Sequence, residues 1–232
     1  MLKIPKKLLK NYAMKSTNTD KISQKVAEIL FDIGAITFRP KQPFRYDSGI
    51  LSPVYTDNRL LISYPKERSR VEKFLISKIK EIGIPDVVAG VATAGIPHSA
   101  FIAQSLNLPM AYIRFSPKDH GKGNQVEGVI HRGQKVIVVE DLISTAGSTS
   151  RSAEALRAVG AKVENAVALF TYNLKESEEN LKKAKIKLHA LTNLKEVAEV
   201  ALKKGFLKIE QVTAIIEWSK QPRDWAKKMG FT

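Results

Sequence analysis

The stretch Val136-Ile137-Val138-Val139-Glu140-Asp141-Leu142-Ile143-Ser144-Thr145-Ala146-Gly147-Ser148-Thr149 reads as a buried strand that ends in two carboxylates. A small, hydroxyl-rich loop follows, and then a helix begins. Four successive aliphatic residues fit a strand covered on both faces, the pattern of a parallel sheet. Ligands of open α/β sheets bind beyond the carboxyl ends of such strands. Ser, Thr, Ala and Gly let backbone N–H groups approach an anion, and the helix N-terminus adds partial positive charge. A phosphate group therefore fits Ser144 to Thr149, with Glu140 and Asp141 facing hydroxyls of an attached sugar. Taken alone, an acidic pair merely ends a strand and Ser144 or Ser148 merely caps a helix. The absence of a Gly-Lys-Ser/Thr ending excludes a nucleotide P-loop.

The same alternation extends on both sides. Upstream, Val87 to Val91 reads as a strand, Ile96 to Leu106 as a helix and Met110 to Phe115 as a second strand. Downstream, Ser148 to Val159 reads as a helix ended by Gly160, and Val163 to Phe170 as a further strand. Strands alternating with helices predict a central, mainly parallel sheet flanked by helices. Before them, Asp20 is placed to cap a helix with Ile22, Val26, Ile29, Leu30 and Ile33 on one face, stopped by Gly34. Pro40 to Tyr64 is rich in turn residues, and Pro65 to Glu81 reads as a helix. Leu174 to Thr232 is mostly helical by pattern, with a short strand at Ile186 to Leu191. Residues 1–19 form a basic N-terminal tail, and residues 20–232 are read as one domain with a helical C-terminal extension. Ser116 to Gly133 is polar, holds four glycines and has no core periodicity, as functional loops often do.

The 232 residues suffice for one sizeable α/β domain, and 44% apolar content is ordinary for a globular chain. No run approaches a membrane span, and residues 1–19 lack the apolar core of a secretory signal. There is no cysteine, which excludes disulfides and thiolate metal sites and fits a cytoplasmic location. The net charge is +15, from 38 Lys and Arg against 23 Asp and Glu. Most lysines lie on ordinary solvated helix faces, so no nucleic-acid partner is expected, and a basic cleft suits a polyanionic substrate.

The run from Val136 to Thr149 resembles, at every position, the phosphoribosyl pyrophosphate signature of the type I phosphoribosyltransferases. The resemblance implies that fold, with a small N-terminal hood segment. It makes Glu140, Asp141, Leu142, Ile143, Ser144, Thr145, Ala146, Gly147 and Ser148 the phosphoribosyl pyrophosphate site. Gly90-Val91-Ala92-Thr93-Ala94-Gly95-Ile96-Pro97 is a second strand-to-helix turn whose small residues suit close backbone approach. In the family a loop at this place holds pyrophosphate. His98 reads as a packed or surface helix residue.

Arg114-x-x-x-Lys118-Asp119-His120-Gly121 is similar to the catalytic-loop pattern of orotate phosphoribosyltransferases. By that resemblance Arg114, Lys118 and His120 contact phosphoribosyl pyrophosphate, Lys118, His120 and Asp141 are catalytic, and Ser144 contacts orotate. The family loop reaches into the partner subunit's active site, so a homodimer with shared sites is implied. Phe44 to Arg59 is similar to the family's Ser-Gly…Ser-Pro-x-Tyr segment, which covers the base. Three departures stand out: Phe115 and Asp47 occupy places where some members carry lysine, and Thr171-Tyr172 a place where others carry arginine. Arg59 or Arg45 is left to meet the orotate carboxylate. Mg2+ is the implied cofactor, held mainly by substrate and water rather than by protein ligands. Two other readings share parts of this pattern. A purine phosphoribosyltransferase, or a salvage enzyme for another base, shares the signature loop, but the Ser48-Gly49…Ser52-Pro53 segment and the Lys118-Asp119-His120-Gly121 loop favour orotate. A nucleic-acid-binding regulator on the same fold suits the charge, but 19 residues are too few for a DNA-binding domain.

Overall fold

The computed structural model describes residues 18–46, 49–116 and 125–231. In chain order the first elements are helix α1 (Asn18–Asp32), strands β1 (Ile36–Phe38), β2 (Phe44–Arg45), β3 (Leu51–Ser52) and β4 (Val54–Thr56), and a 3-10 turn over Asn58–Ser63. Helix α2 (Pro65–Ile82), β5 (Val87–Val91), α3 (Gly95–Leu106), β6 (Met110–Ile113), β7 (Val126–Glu127), β8 (Lys135–Ile143) and α4 (Gly147–Ala158) follow. The chain continues through β9 (Lys162–Thr171), α5 (Lys175–Lys183), β10 (Lys187–Asn193), α6 (Leu194–Lys203), α7 (Ile209–Lys220) and α8 (Pro222–Lys228). Two compact units result, one from Asn58–Leu191 and one from the chain ends, up to Asp57 and from Thr192 on.

The unit from Asn58 to Leu191 is built on a sheet of order β10-β9-β8-β5-β6-β7. The pairs β5–β6, β5–β8 and β8–β9 are parallel, as the alternating pattern predicts. Val136 to Val139 lie at the centre of this sheet, between β9 and β5, and are buried. Several boundaries differ from the sequence reading, two of them near the site. Strand β8 does not end at its acids but runs on past Glu140 and Asp141 to Ile143, held by pairing of Glu140 with Ala168 and Leu142 with Phe170. Within the stretch read as a loop, Val126 and Glu127 form β7, antiparallel to Ile113 and Tyr112. A two-residue edge strand is too short to leave a periodic signal, but it closes the β6 edge of the sheet.

In the other unit, α1 starts at Asn18, two residues before the expected cap at Asp20. Val26, Ala27, Ile29 and Leu30 are its buried stripe. Gly34 ends the helix at φ +74°, where its N–H donates to Phe31 O at 3.0 Å and Ala35 N–H to Leu30 O at 2.9 Å. Strand β1 pairs with β4 and β2 with β3, both antiparallel. The two tryptophans are buried with their N–H groups satisfied: Trp218 Nε1 donates to Leu51 O at 3.1 Å and Trp225 Nε1 to Ala214 O at 2.9 Å. Ser23 Oγ donates to Thr192 Oγ1 at 3.1 Å, joining α1 to the chain that leads into α6. Among the described residues no helix is long and apolar enough to cross a membrane.

Candidate active site

Successive strand residues face opposite sides of a sheet, so β8 presents its two acids differently. Glu140 is 6% exposed, and its Oε1 accepts a hydrogen bond from Ser148 Oγ at 2.9 Å. Asp141 is half-buried. Burial pushes the Glu140 carboxyl up to about 8, and the adjacent Asp141 charge pushes the same way. Burial also raises Asp141, opposed by hydrogen bonds to backbone N–H groups and to Glu140 and by the positive charge of Arg59. Adjacent buried carboxyls cannot both ionise freely. Burial and the closeness of the two carboxyls therefore favour holding a proton on the pair.

The loop after β8 is bolted to the fold through its carbonyls. Tyr172 N–H donates to Ile143 O at 3.0 Å, Asn180 Nδ2 to Thr145 O at 2.9 Å, and Ser150 N–H to Ala146 O at 3.0 Å. Ala146 takes the left-handed conformation, φ 61° and ψ 18°, and turns the chain into α4. The first N–H groups of a helix have no acceptor within it, so those of α4 are open to an anion. Thr149 Oγ1 lies buried in this first turn, with no hydrogen-bond partner among the described residues.

The second loop, between β5 and α3, is flanked by Gly90 of β5 and Gly95 of α3, where any Cβ would force its neighbours to shift. A Cβ on Gly95 would lie 2.4 Å from Val139 O, and one on Gly90 would lie 2.3 Å from Ser99 Oγ and 2.8 Å from Gly95 O. The close approach that the sequence assigns to an anion is made, at these two positions, to the protein itself. Helix α3 is thereby set directly against β8. The Ala92–Thr93 peptide is cis. His98, one turn along α3, is fully buried, as the sequence reading allows. Burial, with the Arg68 charge nearby, lowers its pKa to about 4, so it stays neutral.

Arg114 follows β6, and its Nη1 lies 3.5 Å from Glu127 Oε1 on β7. Phe115, where some relatives of the motif carry lysine, is 80% exposed, and Arg151 of α4 lies over its ring at 5.9 Å. Ala92, Arg114, Phe115, Ser148 and Arg151 line one cleft, so the two loops and the stem after β6 converge. Lys118 and His120 lie outside the described residues, as do Asp47 and Ser48. Thr171 and Tyr172 are packed in the core: Thr171 Oγ1 accepts from Asn173 N–H at 3.0 Å and Tyr172 meets Phe170 edge-on at 5.2 Å. Ser144 is half-buried in the loop. Sequence reasoning missed Asn58, whose Nδ2 donates to Asp141 O at 2.8 Å. It also missed Asn180 and Arg151. A lone polar residue, whether in a short turn or on a helix, carries no periodicity by which to find it.

Residues 64–203 match the family model of the phosphoribosyl transferase domain. The chain is 49% identical to the orotate phosphoribosyltransferase of Listeria innocua over 207 residues, covering 89% of this chain and 99% of that protein. It is 45% identical to the orotate phosphoribosyltransferase of Bacillus subtilis over 210 residues, covering 89% and 97%. The chain belongs to the orotate phosphoribosyltransferase family. The crystal structure of orotate phosphoribosyltransferase from Aeropyrum pernix superposes with a TM-score of 0.68 at 31% identity, covering 79% of this chain and 99% of that one. The orotate phosphoribosyltransferase family's type I fold is thus present, with its six-stranded, mostly parallel sheet flanked by helices.

Proposed function

We propose that the protein transfers the phosphoribosyl group of 5-phosphoribosyl 1-pyrophosphate to orotate, giving orotidine 5'-monophosphate and pyrophosphate, a step of pyrimidine synthesis. The observation that carries this reading is the acid pair on β8, set one short loop away from the open N-terminus of α4. That spacing suits a ribose whose hydroxyls meet carboxylates while its 5'-phosphate meets backbone N–H groups. In the reaction orotate N1 loses its proton and bonds ribose C1. The bond from C1 to the pyrophosphate oxygen breaks, and its electron pair leaves with pyrophosphate. Positive charge grows on the sugar ring, so no protein nucleophile is needed. The protein positions the two substrates and offsets charge on the leaving group.

Asp141 accepts from the ribose hydroxyls, and negative charge on the pair favours the cationic ring. Glu140 keeps the loop in place through Ser148. Arg114 and Lys118 offset the pyrophosphate charge, and His120 binds phosphate or passes a proton near neutral pH. Ser144 is the hydroxyl contact to orotate. Among the described residues no three His, Asp or Glu side chains gather to hold a metal, and a lone, desolvated acid pair fits Mg2+ that arrives on the substrate's own oxygens and waters. When bound, Mg2+ supplies positive charge to the pyrophosphate. A homodimer that shares its active sites and a cytoplasmic location complete the proposal. The first is supported by the Arg114 to Gly121 motif and the second by the cysteine-free sequence. Mixing protein, orotate, phosphoribosyl pyrophosphate and Mg2+ tests the reaction, with orotate absorbance and pyrophosphate followed together. Equal loss and release are expected. Pyrophosphate release without loss of orotate, or neither, would overturn the proposal.

A further inference from the structure

The first turn of a helix is its positive end, and acidic side chains are favoured there. Helices α2, α5, α6, α7 and α8 follow that rule, with Glu67, Glu176 and Glu178, Glu196, Glu210 and Asp224. The two helices that open on the site loops, α3 and α4, carry no acid in the first turn. Helix α4 goes further and brings a cation there. Arg151 is four residues on from Gly147, the first residue of α4, so the two share a face, and helical side chains lean toward the N-terminus. The guanidinium lies back accordingly: a Cβ on Gly147 would be 3.3 Å from Arg151 Nη1. Arg151 is exposed and, among the described residues, forms no ion pair. Its guanidinium sits 5.9 Å over the Phe115 ring, in the cleft it shares with Arg114 and Ser148. Arg157, at the other end of α4, is tied down instead: Nη1 donates to Ala184 O at 2.7 Å and Nη2 to Val163 O at 2.5 Å. A cation at the positive end of a helix, with no carboxylate to meet it, opposes the fold unless an anion lies between them.

We propose that Arg151 is a further phosphate-binding residue of this site: it sits over the first turn of α4, steadied by the Phe115 ring, and donates to the 5'-phosphate of phosphoribosyl pyrophosphate. The inference deepens the proposed transfer reaction and rests on it for the identity of the substrate. The ligand chemistry, a sugar phosphate, is set by the helix end and the guanidinium. Backbone N–H groups meet the phosphate from one side and the planar fork of Arg151 from the other, so its oxygens are shared between them. The exposed Phe115 then has a task. A ring face attracts the cation without using any of its hydrogen-bond donors. An aromatic residue where some relatives of the motif carry lysine thus goes with a cation supplied from α4. Arg114, on the β6 side of the cleft, is left to the pyrophosphate.

The test uses the full-length protein and calorimetry, with ribose 5-phosphate as one probe and pyrophosphate with Mg2+ as the other. Arg151→Met is expected to bind ribose 5-phosphate about 10-fold more weakly than the parent, with pyrophosphate affinity unchanged. Arg151→Lys keeps the charge but loses the fork, and is expected to fall between the two. Phe115→Ala should weaken ribose 5-phosphate binding roughly 2- to 5-fold. In steady-state assays KM for phosphoribosyl pyrophosphate rises in the same order, while kcat and KM for orotate hold. Without ligand, Arg151→Met should melt no lower than the parent, because a cation leaves the positive end of α4. Unchanged ribose 5-phosphate affinity in Arg151→Met would overturn the inference, and a lower melting temperature beside it would mark the residue as structural. A fall in pyrophosphate affinity in place of ribose 5-phosphate affinity would overturn it too, as would a parent that binds no ribose 5-phosphate. A parent that binds ribose 5-phosphate but forms no nucleotide from orotate would sink the proposed reaction, with the binding data still deciding this inference.

Discussion

Replacing Glu140 with glutamine separates the stability of the fold from the demands of the site. Burial and the Asp141 charge raise the Glu140 carboxyl from 4.5 to about 8. In the unfolded chain it titrates near its ordinary value. Below that value both states hold the proton and the group costs nothing. As pH rises, the unfolded state releases its proton first, so stability falls by about 1.4 kcal/mol per pH unit until the folded group also titrates. By about pH 7 the accumulated cost is on the order of 3 kcal/mol. Glutamine keeps an acceptor for Ser148 Oγ but turns an amide nitrogen toward Asp141 N–H, which lies 3.3 Å from Glu140 Oε2. That mismatch takes back about 1 kcal/mol. Glu140→Gln should therefore be more stable than the parent by about 2 kcal/mol near pH 7, or roughly 4–8 °C in melting temperature for a chain of this size. Melting curves from about pH 5 to pH 8.5 should show a gap that is small in acid, widens with pH and levels off near the Glu140 value. A gap that is absent, or constant across that range, would mean that the Glu140 carboxyl is not raised in the folded protein.

Three further outcomes follow from the same geometry. Lys118→Ala should lower turnover at saturating substrates far more than it lowers stability. When it is mixed with Asp141→Asn and the subunits are exchanged, about a quarter of the parental activity should return if each site draws on two subunits. No recovery would remove the shared-site dimer. Gly95→Ala places a Cβ 2.4 Å from Val139 O and should cost about 1–3 kcal/mol in denaturant titrations. It should also raise KM for phosphoribosyl pyrophosphate, because α3 and its loop must back away from β8. Ala146→Gly relieves a left-handed residue at φ 61°, a gain of roughly 1–2 kcal/mol. It loses a buried methyl, about 0.8 kcal/mol, and loosens the unfolded chain by about 0.4–1 kcal/mol. Denaturation should thus place Ala146→Gly within about 1 kcal/mol of the parent.

Central strands were readable because burial on both faces forces unbroken aliphatic runs: Val87–Val91 is the element the pattern predicts, residue for residue. Edge and junction features were not. Val126–Glu127 is a strand only because Tyr112 and Ile113 lie beside it. The extension of β8 through Glu140 and Asp141 depends on pairing with β9, a partner some thirty residues away that local pattern cannot reveal. The acid pair and the loop after it were legible because their chemistry is contiguous in the chain. Asn58 was not, because its task is set by a contact with Asp141. The roles of Gly90 and Gly95 were half legible. Their need for space shows in the sequence, but that the space is taken by Ser99 and Val139 shows only in the fold.

The most direct test of the account is base selectivity. Purified protein with phosphoribosyl pyrophosphate and Mg2+ would be given orotate, adenine, guanine, hypoxanthine or uracil in parallel, and formation of each nucleotide measured. Rapid formation of orotidine 5'-monophosphate, with the other bases unused, is the predicted result. Turnover of a purine or of uracil in place of orotate would contradict the assignment of the base while leaving the sugar and phosphate sites intact, and no turnover of any base would contradict the proposed reaction itself.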